Sequence, residues 1–108
     1  MELRILTTTP NSTLKLLSME IDIGLIVLSK AGRDGGNYFI VVKLEKEFAY
    51  IVDGGLRKLE KPKKKKLKHL KNAGETHEGL KEKFISGKKV FDSEIKSALR
   101  AIRERLNS

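Results

Sequence analysis

The chain is 108 residues long, with 39% hydrophobic and 34% charged residues, enough for one small core and too little for two. It contains no cysteine, which excludes disulfides and thiolate metal sites, and no run approaches the roughly 20 apolar residues of a membrane span. The net charge is +9 and it is concentrated: from Arg57 to Lys71 nine cations stand against one acid, Glu60, so this segment carries +8 of the total.

Residues 1–18 set Arg4 and Lys15 around a Thr-rich stretch with a turn at Pro10–Asn11, and hold no apolar run of the kind a signal sequence uses. They are expected to form a loosely ordered extension. Met1 and Met19 are both candidate starts, with regular patterning beginning at the second. The expected location is the cytoplasm.

Short strands follow. Ile23 to Ser29 is apolar and β-branched, long enough for one strand. Residues 30–36 make a glycine-rich loop. Asn37 to Leu44 reads as a second strand, with Tyr38, Ile40, Val42 and Leu44 on one face and Phe39 and Val41 on the other, beside Asn37 and Lys43. Both faces are partly apolar, so a covering element is expected outside. Glu45–Lys46 turns the chain, Glu47 to Asp53 returns as a third strand, and Gly54–Gly55 ends it. In the basic segment only Leu56, Leu59, Leu67 and Leu70 are apolar anchors; residues 67–70 read as a last short strand, or as a single 3₁₀ turn followed by one. Short strands with tight turns in this span fit a small closed barrel.

Residues 73–91 hold glycines and mixed charge and are expected to connect the barrel, residues 19–72, to a C-terminal helix over residues 92–108. Asp92 or Ser93 is its expected cap. Ile95, Leu99, Ile102 and Leu106 form its apolar stripe, expected to cover the second strand near Phe39 and Val41. Lys96, Arg100 and Arg103 align on the same helix; they could extend the basic surface, but the expected role is the commoner one of keeping the helix soluble.

Residues 22–42 carry the sharpest pattern. A glycine opens a strand, a basic glycine loop follows, and an apolar strand leaves. Glycine permits positive φ and close backbone approach, and Lys30 and Arg33 at the loop tip suit a phosphate. An ordinary hairpin needs the same glycines for its turn alone. The lysine run has a second reading too, as a solvated charge run, an import signal or a membrane-surface patch. Its position between apolar anchors, rather than in a free tail, favours RNA. Lys61, Lys63, Lys64, Lys65, Lys66 and Lys71 are therefore expected phosphate contacts. Lysine outnumbers arginine here, which suits point-charge contact to phosphate over reading of base edges.

The order of these parts resembles the KOW motif of SH3-like barrels in ribosomal proteins and transcription elongation factors. Val52-Asp53-Gly54, the basic stretch and Lys68-His69-Leu70 are similar to the archaeal and eukaryotic large-subunit ribosomal protein family fourteen-e and its bacterial KOW-domain relatives. The resemblance covers roughly residues 20–72. It implies a mainly β fold, a small SH3-like five-stranded barrel with an appended C-terminal α-helix, that binds RNA, ribosomal RNA foremost, among ribosomal or translation proteins. It also implies RNA contacts at Lys30, Arg33, Asn37, Arg57, Lys58, Lys68 and His69. The compact Pro62–Lys66 run and the N-terminal extension depart from the family pattern.

Other functions are poorly supplied. The aromatics Phe39, Phe48, Phe84, Phe91, Tyr38 and Tyr50 mostly fall in apolar strand patterns and are expected in the core rather than as stacking platforms. His69 and His77 stand eight apart, and His77-Glu78 lacks the second histidine of a metalloprotease helix. Gly87-Lys88-Lys89 lacks the flanking residues of a P-loop. No enzyme activity, cofactor or metal is expected, nor a membrane partner. A protein-interaction barrel with an accessory basic patch is the alternative.

Overall fold

The computed structural model describes residues 21–30 and 36–106; the extension over residues 1–18 and Arg33 lie outside them. The described residues form β1 (Leu25–Ser29), β2 (Tyr38–Glu45), β3 (Phe48–Val52), β4 (Lys63–Lys66), a 3₁₀ turn (Leu67–His69), β5 (Leu70–Thr76), α1 (Glu78–Ser86) and α2 (Asp92–Leu106). The strands make one antiparallel sheet in the order β4-β3-β2-β1-β5. Among the described residues no ladder joins β4 to β5, so the sheet is open.

The sheet is buried on both sides. One face packs Leu25, Val27, Phe39, Val41, Ala49, Ile51 and Leu70 against one another, with Leu44 and Leu67 at the margin. The opposite face presents Ile26, Ile40 and Val52, which Leu80 of α1 and Ile95, Leu99 and Ile102 of α2 cover. The helical stripe therefore packs on Ile40 rather than on Phe39 and Val41. Phe39 and Val41 are enclosed instead on the other face of the sheet, and a bulge in β2 adds to that face: the register shifts between Val41 and Lys43, so Val41 lies opposite Ile51 while Leu44 lies opposite Ala49. Straight alternation groups Leu44 with Ile40; the extra residue returns it to the face of Phe39. Leu106, the last residue of the expected stripe, stays 39% exposed.

The connecting segment expected over residues 73–91 is largely regular. β5 runs to Thr76, and α1 follows at once, its start capped by His77, whose Nδ1 accepts the Leu80 N–H at 3.1 Å. Close approach of α1 to the sheet depends on Gly24. It has φ +86°, and a methyl group there would overlap the side chain of Lys81.

Asp92 does not cap its own helix. Its carboxylate reaches 33 residues back and accepts the Leu59 N–H at 2.8 Å. Glu94 serves the helix start instead: one oxygen accepts the Phe91 N–H at 3.0 Å, and the other meets Lys83 of α1 at 2.7 Å. The Lys83 ammonium first, and the Phe91 amide second, hold the Glu94 carboxyl below the usual glutamate range. A lowered folded value means the contact is complete above the ordinary glutamate pKa and is lost as pH falls through the lowered one. In a pH titration followed by nuclear magnetic resonance, the Phe91 amide is expected to move with a midpoint below that of a free glutamate. Lys83→Gln should raise that midpoint, and an unmoved midpoint would break the assignment.

Candidate nucleic-acid interface

The cations of the basic segment sit on hydrogen-bonded backbone in three neighbouring settings. The first is the loop from Asp53 to Pro62. The Asp53 carboxylate accepts the N–H groups of Gly55 and Arg57 at 2.8 and 2.9 Å, while the Arg57 carbonyl accepts those of Asp53 and Gly54 at 2.9 and 3.1 Å. This knot and the Leu59–Asp92 bond fix the loop against α2. Arg57, Lys58, Lys61, Lys63 and Lys64 line an open concavity of about 560 Å³, with Glu60 the one acid in its wall.

The second setting is β4, which is made of the lysine run itself. Four lysines have low intrinsic preference for a strand. Pairing to β3 imposes one: Lys63 lies opposite Ile51, Lys64 opposite Tyr50, Lys65 opposite Ala49 and Lys66 opposite Phe48. Period two then sorts them. Lys64 and Lys66 are exposed on the face of Tyr50 and Phe48, whereas Lys63 and Lys65 are partly buried. Charge along this edge also discourages another chain from adding a strand to it.

The third setting is the base of the glycine loop. Lys30 N–H donates to the His69 carbonyl at 2.9 Å, Gly36 N–H to Ser29 at 3.0 Å, and Ser29 N–H to Asn37 at 3.2 Å. Ser29 lies opposite Leu70, and Leu28 opposite Lys71. Lys30, Asn37, Lys68 and Lys71 are exposed there, and His69 is partly buried. The 3₁₀ turn follows the lysine strand directly, and its Leu67 N–H donates to the Glu47 carbonyl just before β3 at 2.8 Å.

Two aromatics and one lysine extend the surface beyond the residues expected from sequence. Tyr50 and Phe48 are partly exposed on the outer side of β3, not enclosed in the core as expected for them. The ammonium of Lys64 lies 4.5 Å from the Phe48 ring centre and 5.9 Å from that of Tyr50, and Lys43 lies 5.2 Å from Tyr50. Tyr50 donates its hydroxyl to Glu45 at 2.8 Å, and Lys64 stands 3.7 Å from the same carboxylate. That hydrogen bond, and then the Lys64 charge, draw the Glu45 carboxyl below its usual range, while the bond to Glu45 pushes the Tyr50 phenol up. The signal for this face was the alternation Phe48, Tyr50, Val52. What alternation does not tell is that the helices stop short of covering it: Val52 is buried under them and its two neighbours are not.

Among the described residues no cluster of three His, Cys, Asp or Glu side chains is placed to hold a metal ion, and no helix is long and apolar enough to cross a membrane. No known protein-family model matches the chain, and no curated protein matches its sequence.

Proposed function

We propose that this chain is an RNA-binding protein of the SH3-like barrel type, working with ribosomal or other structured RNA in translation. It grips the phosphate backbone through the glycine-loop base and the segment from Arg57 to Lys71. The observation that carries the reading is the immobilisation of the charge. The cations lie on a knotted loop, a paired strand and a 3₁₀ turn bonded to Lys30, not on a free tail. A polyanion therefore meets a fixed array, and fixed charges lose less entropy on binding than a mobile tail. The barrel reading is supported by the strand order and by the 3₁₀ turn between β4 and β5, which is bonded to Glu47 before β3 and to Lys30 after β1.

The test is salt dependence. Fluorescence anisotropy with a labelled hairpin RNA should give log affinity falling with log salt at a slope of roughly −3 to −5, as neutralising about four to six phosphates requires. A slope near zero would sink the proposal. A protein-binding role has its own support in the exposed apolar side chains Leu56, Ile85 and Phe91, which are 88%, 64% and 55% accessible. Material captured from lysate separates the two readings, since nuclease should release it in the first case only.

A further inference from the structure

We infer that the outer face of β2, β3 and β4 is a stacking platform for unpaired bases of single-stranded RNA, with Tyr50 and Phe48 each taking one base. This rests on the RNA-binding reading and adds to it which form of RNA the sheet face takes. The helices that cover Ile26, Ile40 and Val52 leave the continuation of that face open, and two aromatic rings stand in the gap.

The surroundings select a nucleic acid. Lys43, Tyr50 and Lys64 are register partners across three adjacent strands, so the ring has an ammonium on either side of it. Lys66 extends the same arrangement beside Phe48. Lys64 also lines the concavity that holds Arg57, Lys58 and Lys61, so one continuous positive track runs from the loop onto the aromatic row. A strand bound along it meets phosphate partners and base partners in alternation, the combination that single-strand binders use. The one acid of the row, Glu45, is engaged by Tyr50 and Lys64. Its bond to the Tyr50 hydroxyl holds the ring in place, and a base would stack on that ring by displacing the Lys43 or Lys64 ammonium that lies over it.

Spacing specifies the form of the RNA. Phe48 and Tyr50 are two positions apart on one strand, so their attachment points are separated by about 7 Å. Consecutive bases in a stacked strand are about 3.4 Å apart. Neighbouring bases must therefore splay to occupy both rings, which a duplex cannot do without unpairing. Single strands, loops and bulges meet the condition.

The experiment compares a uridine-rich single strand with a blunt RNA duplex, binding each to the full chain and to Tyr50→Leu, Phe48→Leu and Tyr50→Phe. The leucine variants should lose between about fivefold and a hundredfold in single-strand affinity, with duplex affinity and salt slope unchanged. Tyr50→Phe keeps the ring but loses the bond to Glu45, and should retain most of the single-strand affinity that Tyr50→Leu loses. Fluorescence gives a measurement that does not depend on the leucine variants folding. The chain has two tyrosines and no tryptophan, so in Tyr38→Phe the emission comes from Tyr50 alone. Single-stranded RNA should quench it and duplex should not. If the parent binds RNA but the leucine variants match it, or Tyr50 emission ignores the single strand, the platform is refuted while the phosphate grip stands. If the parent binds neither RNA, both fall together.

Discussion

A Gly54→Ala variant is expected to lose on the order of 2–5 kcal/mol of folding stability, a large part of what holds a chain of this size together. Two effects add. Gly54 has φ +80°, a backbone state that costs an L-residue about 1–2 kcal/mol. A methyl group there would also overlap the Asp92 carbonyl oxygen and stand 2.9 Å from the Lys96 backbone nitrogen, both in the first turns of α2. Neither atom belongs to a flexible side-chain tip, so the helix must move as a body. The movement would pull on the Leu59–Asp92 bond and loosen the loop that carries Arg57 and Lys58. Gly74→Ala is the control, because Gly74 has φ +83° with open space around it. Denaturant midpoints for the two variants separate backbone strain from contact. The Gly54 variant should fall well below the Gly74 variant; equal losses would mean that α2 does not rest on this loop.

The same junction illustrates what was and was not legible in the sequence. The stripe Ile95, Leu99, Ile102 was readable because helical spacing survives any tertiary context, and all three residues are buried. The side of β2 that the stripe covers was not, since both faces of the strand are apolar as far as Val42 and a bulge past Val41 moves Leu44 to the face of Phe39. α1 was not legible because its apolar residues are Leu80, Phe84 and Ile85 in a charged segment, with Gly79 within it and a histidine as cap. Gly87, left-handed just past its end, was the available stop signal. The lysine strand lay beyond sequence reading altogether. Nothing in Lys63 to Lys66 favours extended pairing; the conformation comes from the neighbouring Phe48–Val52 strand. The candidate site inherits this division. Its charges could be counted in advance, whereas the pairing of Lys64 with Tyr50 required the register of β3 against β4.

Placement rather than amount of charge is the physical basis of the proposed interface, and a pair of variants with equal net charge tests it. Replacing Lys58, Lys61, Lys64 and Lys66 by glutamine lowers the net charge from +9 to +5. All four side chains are exposed, so the fold should tolerate the change. Replacing Lys88, Lys89, Lys96 and Arg100, also exposed, lowers it by the same four units. Glutamine keeps much of the apolar stem in each case, so packing changes little. Each lost phosphate contact removes about 0.7–0.9 from the salt slope, so losing four should flatten it by roughly 3 and reduce affinity near 0.1 M salt by about a thousandfold. The second set shifts only the long-range field, which is screened beyond about 10 Å at that salt, and should leave the slope close to that of the parent. Anisotropy titrations across a salt series read both quantities at once. Equal losses from the two sets would make the attraction a property of total charge, and the ordered array of loop, strand and turn would then have no part in recognition.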